Sequence, residues 1–243
     1  MAENWTALLD KYINKLISPD GRQTYESKDE LVNLMLKLAE LKKSDKVMDI
    51  GCGWGNFSEV CSNFSDEVIG IEPNADNLQE AINRSNGNVK YIQGSFEALN
   101  CNQSVNKVIS MLAFHQVPWD YKEKSLENIS EILTTDGYFY LCDTMLLFDA
   151  EKDTELFNKV YRFLLKETTP EEIYKNYIEP YLKENEVYTV EDMRENSPKD
   201  NWFYSMKELK HWSEKANMEL VKTVAICPFF GVMVFKKKKQ LTI

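Results

Sequence analysis

The feature that most constrains this chain is Asp49-Ile50-Gly51-Cys52-Gly53-Trp54-Gly55, which follows the apolar pair Val47-Met48 and precedes a helical stretch near 56–63. Glycine adopts left-handed backbone angles without steric cost and lets another group approach bare backbone. Glycines at alternate positions between a strand and a helix therefore predict a tight turn that presents main-chain atoms to a ligand near a helix start. Dinucleotide folds use a related loop, but spaced GxGxxG, whereas Gly51, Gly53 and Gly55 form GxGxG preceded by an acid. An aspartate beside a pyrophosphate is repelled; beside a cationic ammonium or sulfonium it is attracted.

The flanking pattern sets the architecture. Residues 47–50, 68–71, 89–92, 107–111 and 138–142 are short apolar runs, with helical stretches near 56–63, 76–84 and 122–133 between them. Buried strands alternating with helices predict a mostly parallel sheet covered on both faces, a doubly wound α/β fold. Two last strands, 220–226 and 229–235, are joined by Cys227-Pro228, a connection so short that it joins antiparallel neighbours only. The expected sheet is therefore seven-stranded, parallel except for a closing antiparallel hairpin.

Ahead of the sheet, Leu8, Leu9, Tyr12, Ile13 and Ile17 predict one amphipathic helix over 5–17, ended by Ser18-Pro19-Asp20-Gly21. A second helix is expected from Ser27, which would cap it with Glu30, through Leu41. Between Asp143 and Ser205 the alternation stops, giving way to helical runs near 155–165 and 170–182 and many aromatics. The late helix is expected over 205–216, with Ser205 and Glu208 as a capping box. The chain divides on this reading into N-terminal helices (1–45), a core (46–143 and 205–243) and a lid or acceptor-binding insert (144–204).

A net charge of -10 and a pI near 4.9 disfavour nucleic acid as a partner, because phosphate binding relies on Lys and Arg. The only basic run, Lys236 to Lys239, reads as a solvated tail. No segment has the uninterrupted apolar length of a membrane span, and the N-terminus lacks a leader pattern, so a cytoplasmic location is expected. The cysteines (Cys52, Cys61, Cys101, Cys142, Cys227) are odd in number and lack a CxxC pair, which predicts free thiols rather than disulfides or zinc.

Glu72 ends the run at 68–71, about twenty residues beyond the glycine loop, where a carboxylate accepts hydrogen bonds from both ribose hydroxyls. Loop and acid together suit a nucleoside with a cationic end and no phosphate requirement.

At these residues the sequence resembles the class I S-adenosylmethionine-dependent methyltransferases, over roughly 47–236. Their first motif matches Val47 to Gly55, their ribose-binding acid Glu72, and their adenine-side segment Gly94-Ser95-Phe96-Glu97. Their fourth-strand motif is met by Ser110-Met111-Leu112-Ala113-Phe114-His115-Gln116-Val117. The resemblance implies S-adenosylmethionine as cofactor, its amino-acid end on Asp49, Gly51, Gly53 and Gly55, its ribose on Glu72, and its adenine between side chains near Asn74 and Phe96. It further implies contacts from Met111 and from Ser95, which stands where the family often has an acid.

Methyl transfer is an in-line displacement that needs alignment, and a general base only where the acceptor must lose a proton. His115, one of two histidines, follows the fourth strand near the expected methyl position and is the candidate base, weighed against a structural role at a strand end. Asp143 is read as a cap of the following segment, His211 as surface or packing, and Cys142 as core. No metal is expected. The insert's Tyr161, Tyr177, Trp202, Phe203 and Tyr204 are candidates for a ring-lined acceptor pocket, with Tyr25 closing over the cofactor. The expected acceptor is a small molecule with an oxygen, nitrogen or sulfur nucleophile; the alternatives are an RNA or protein methyltransferase, or an inactive S-adenosylmethionine-binding partner protein. The oligomeric state does not follow from the sequence.

Overall fold

The computed structural model describes residues 5–17, 23–27, 29–184, 188–196 and 204–239. Helix α1 (Trp5–Tyr12) stops short of the expected helix. Strands β1 (Ile13–Ile17) and β2 (Gln23–Ser27) instead pair antiparallel, Ile13 opposite Ser27. The β-branched Ile13 and Ile17 favour extended backbone, and a Pro-Asp-Gly sequence suits a chain reversal, so the local chemistry supports a hairpin as well as a helix. Ser27 ends β2, and its side chain lies outside the described residues; α2 (Asp29–Ala39) begins with Asp29 and Glu30, acids that complement its positive end. Lys107 reaches the far end of α2, its ammonium donating to Ala39 O and Glu40 O.

The sheet contains β3 (Lys46–Ile50), β4 (Glu67–Glu72), β5 (Val89–Gln93), β6 (Val105–Met111), β7 (Leu133–Thr144), β8 (Met218–Cys227) and β9 (Phe230–Lys237). Their order is β5-β4-β3-β6-β7-β9-β8, parallel through β7, with β9 antiparallel to both neighbours. The expected seven-stranded sheet with its closing hairpin is what the chain forms. Helices α3 (Asn56–Ser62), α4 (Ala75–Arg84) and α5 (Lys122–Ile132) connect the parallel strands.

Side chains alternate across the sheet as the period of two requires. Val47, Ile109, Tyr140, Cys142, Val232 and Val234 face one core, with Leu31 and Met35 of α2 and Cys61 of α3. Met48, Val108, Phe139, Leu141, Met233 and Phe235 face the other, with Leu126 and Ile129 of α5 and Trp212 of α10 (Met206–Lys215). Ser205 caps α10 in the expected capping box with Glu208. Cys142 is core, His211 is exposed, and all cysteines are free thiols.

Between β7 and α10 lie α6 (Thr154–Thr168), α7 (Glu171–Ile173), a π-helical turn (Tyr174–Ile178), α8 (Glu179–Glu184) and α9 (Val190–Asn196). α6 packs on the first core through Phe157, Val160, Tyr161 and Leu164. Trp5 of α1 meets Phe163 of α6 and Phe229 of the final turn edge-on, each at 5.3 Å between ring centroids. The basic run at the C-terminus is less solvated than expected. Lys236 pairs with Asp136 at 3.1 Å, and Lys237 donates to Ser130 O and Leu133 O at 2.6 and 2.7 Å, closing the end of α5.

Candidate functional site

The loop after β3 turns at the carboxyl end of the sheet, held by Gly51 N and Cys52 N donating to Ile71 O at 2.8 and 3.0 Å. Gly51, Gly53 and Gly55 all have positive φ. Two of them need glycine for different reasons. A Cβ on Gly51 would lie 2.3 Å from Ala113 Cβ, so the first turn is closed by the segment that follows β6. A Cβ on Gly53 would meet nothing within 4 Å: the backbone there borders open space. This is the cradle that a ligand lying on the main chain requires.

Glu72 ends β4 beside that cradle at 6% exposure. Its Oε2 accepts from Gly53 N at 2.9 Å and its Oε1 from Asn74 N at 3.0 Å and Asn77 Nδ2 at 3.5 Å. Burial raises its pKa above the ordinary carboxylate value, opposed by these bonds. A carboxylate has about four acceptor positions, so one stays open for a ribose hydroxyl, and a second is gained when a ligand hydroxyl replaces the long Asn77 bond. Asn74 spends its side-chain oxygen capping α4, on Asp76 N and Asn77 N. Asn77 Oδ1 also receives Trp54 Nε1 at 2.9 Å, tying the loop to α4.

Asp49 is the penultimate residue of β3, two residues before the loop's first glycine, 2% exposed, with Oδ2 accepting from Ser58 Oγ at 2.6 Å. Burial pushes its pKa up to about 6; the Ser58 bond opposes the rise and the Glu72 charge adds to it. A buried carboxylate of this kind gains from a cation placed near it.

The segment 94–99 folds back on itself through Ser95 N→Ala98 O (2.9 Å), and Ser95 Oγ accepts from Ala98 N at 3.2 Å. Phe96 is buried, edge-on to Phe114 at 5.2 Å, and approaches the Gly51 position. Asn128 of α5 anchors the turn by donating to Phe96 O and Glu97 O. Met111 ends β6 opposite Cys142, half-buried.

His115 sits in the one-turn helix Phe114–Gln116 just beyond β6, and Asp143 near the end of the neighbouring β7. Because the strands are parallel and adjacent, the two side chains meet: His115 Nδ1 lies 2.7 Å from Asp143 Oδ1. Asp143 is fully buried, its Oδ1 also accepts from Thr144 N at 2.9 Å, and its Oδ2 accepts from the Tyr204 hydroxyl at 2.9 Å. The reading of Asp143 as a cap is corrected by this geometry; its main partners are His115 and Tyr204, brought together across strands that no local pattern connects.

Of the insert's rings, Tyr204 is buried on Asp143 and Tyr161 is stacked on Phe157, whereas Tyr177 is 73% exposed. A pocket walled jointly by these rings is not formed by the described residues. Trp202 and Phe203 lie outside them, as does the side chain of Tyr25, whose backbone belongs to β2. Among the described residues, no group of three or more His, Cys, Asp or Glu stands placed to hold a metal, and no helix is long and apolar enough to cross a membrane.

The strand order, parallel with a closing antiparallel hairpin, is that of the class I, Rossmann-like S-adenosylmethionine-dependent methyltransferase fold, and the chain is such a transferase. A family model described as a methyltransferase domain matches residues 47–137. An uncharacterized methyltransferase of Staphylococcus carnosus is 28% identical over 159 residues, 65% of this chain and 72% of the relative. A probable S-adenosylmethionine-dependent methyltransferase of Saccharomyces cerevisiae is 29% identical over 167 residues, 64% of this chain and 52% of the relative. Among solved structures, the YcgJ protein of Bacillus subtilis superposes with a TM-score of 0.59 at 16% identity, covering 86% of this chain and 98% of that one. The methyl donor is S-adenosylmethionine.

Proposed function

We propose that the chain methylates a small-molecule acceptor whose oxygen, nitrogen or sulfur nucleophile carries a proton, with His115 as the general base. The observation that carries this reading is the 2.7 Å contact between His115 Nδ1 and the buried Asp143. In that arrangement Nδ1–H donates to the carboxylate, which fixes the tautomer and leaves Nε2 as the basic nitrogen. Asp143, held by Tyr204 and the Thr144 amide, then steadies the imidazolium that forms as the acceptor loses its proton.

S-adenosylmethionine supplies an activated methyl on a sulfonium when bound. Glu72 would take one ribose hydroxyl on its open acceptor position and the other in place of the long Asn77 bond, and Gly53 would give the ligand bare backbone. Gly51 and Gly55 would shape the turn. Asp49 would oppose the cationic amino-acid end. Asn74, Ser95 and Phe96 would flank the adenine, Phe96 as a largely buried wall, and Met111 would border the methyl end. Residues 144–204 would form the lid and acceptor-binding insert on a core of 46–143 and 205–243, with 1–45 as the N-terminal element.

Incubation of a metabolite extract with methyl-labelled S-adenosylmethionine, followed by mass spectrometry, should yield one labelled small product. Replacing His115 with Ala should lower its formation by about a hundredfold while cofactor affinity stays nearly unchanged. Undiminished turnover would discard the base, and label appearing only in protein or RNA would discard the acceptor class.

A further inference from the structure

Lys122 is the first residue of α5, a position from which a lysine ordinarily extends into water along its stem. Here the side chain is fully buried. Its Nζ donates to Phe114 O at 2.8 Å and to His115 O at 3.4 Å, and lies 4.8 Å from the ring centroids of both Phe114 and Tyr204. Every one of these partners belongs to the His115–Asp143 arrangement: Phe114 and His115 form the turn that carries the imidazole, and Tyr204 gives its hydroxyl to Asp143. A buried ammonium persists only with hydrogen bonds and neighbouring negative charge.

We propose that Lys122 is the positioning residue of the His115–Asp143 pair: it pins the His115 turn through two carbonyl oxygens and, as the cation that balances Asp143, keeps the imidazole uncharged and ready to accept a proton. The catalytic part of this rests on the reading of His115 as base. With Lys122 charged and Asp143 ionised, the buried cluster is neutral while His115 is neutral. Protonating His115 sets a second positive charge against one carboxylate, and removing the Lys122 charge leaves that carboxylate to the imidazolium alone. The other groups facing the cluster are Tyr204, Glu97 after β5, and Glu208 on α10, the last already engaged by Arg194 and by the Ser205 cap. Burial pushes the Lys122 ammonium down to about 8, and Asp143, then Glu97 and Glu208, act against that fall.

The chain has only two histidines, His115 and His211, and His211 is exposed, so a proton NMR titration of the imidazoles resolves the site against an internal control. Lys122→Gln keeps a donor for the carbonyls and removes the charge; Lys122→Met removes both. In either variant the His115 midpoint should rise by about one pH unit, a tenfold change in its protonation constant, with His211 unmoved. The acid limb of the pH–rate profile for methyl transfer should move by the same interval. A His115 midpoint within about 0.3 pH unit of the unaltered protein, in a variant with native circular dichroism, would overturn the proposal. The titration needs neither acceptor nor turnover, so an active His115→Ala enzyme would remove the base reading and leave the midpoint shift standing.

Discussion

Replacing Asp49 with Asn should make the protein more stable and bind its cofactor less well. The folded state holds the Asp49 proton more tightly than the unfolded chain, because burial raises its pKa from 3.8 to about 6. A raised acid contributes stability that is complete below the unfolded value and lost as pH rises through the folded one. Two pH units correspond to about 3 kcal/mol, which is the order of the cost of keeping Asp49 charged at neutral pH. Asparagine carries no charge and retains an oxygen for the Ser58 hydroxyl, while its amide hydrogens need new partners. A net gain of about 1–2 kcal/mol at pH 7 is therefore expected, a rise in melting temperature of about 2–8 °C for a chain of this size. Scanning calorimetry of the cofactor-free protein should show that gain at pH 7 and lose most of it by pH 4, where Asp49 is itself largely protonated. Calorimetric titration of the same variant should show affinity for S-adenosylmethionine lowered by about tenfold to a hundredfold, the loss of one partly buried charge pair. A variant less stable at pH 7 or a gain equal at both pH values would refute the cost assigned to charging the buried acid, and an unchanged affinity would refute its placement against the ligand's cationic end.

The first two glycines of the loop should respond differently to alanine. Gly53→Ala fills open space at a φ of +54°, so it should cost only about 1–2 kcal/mol of stability while weakening cofactor binding at least tenfold. Gly51→Ala adds a clash with Ala113 at a φ of +76° and should cost about 3 kcal/mol or more, seen as a lower urea midpoint even without ligand. Tyr204→Phe removes one donor from the buried Asp143 and should cost about 1–3 kcal/mol by urea unfolding; an unchanged midpoint would mean that the hydroxyl contributes nothing to holding the carboxylate.

The sheet was legible because its signals are local and repeated. Apolar runs of strand length, the glycine stop after Ile50, and the short Cys227-Pro228 link each constrain one connection, and together they leave one strand order compatible with the family resemblance. The Ser205 capping box was readable for the same reason: all its groups lie within four residues. The first hairpin was not, since the apolar pairs from Leu8 to Ile17 keep helical spacing throughout, and the extended backbone of Ile13–Ile17 is set by pairing with Gln23–Ser27. The histidine's surroundings depend on contacts at long range. Tyr204 reaches Asp143 across 61 positions and His115 reaches it across 28, so Asp143 read from its neighbours alone looked like a cap. Lys122 carries no sequence mark of burial at all, because a lysine opening a helix is ordinarily solvated. Its enclosure follows from how α5 and Tyr204 close over the His115 turn.

The central claim is that the Gly51–Gly55 loop and Glu72 form an S-adenosylmethionine site, and calorimetric titration of the purified chain with S-adenosylmethionine and with NAD tests it most directly. One equivalent of S-adenosylmethionine should bind, Glu72→Ala should weaken that binding by about a hundredfold through two lost ribose hydrogen bonds to a charged acceptor, and NAD should give no heat. Binding of NAD without binding of S-adenosylmethionine, or a Glu72→Ala variant that binds as well as the unaltered chain, would contradict the account.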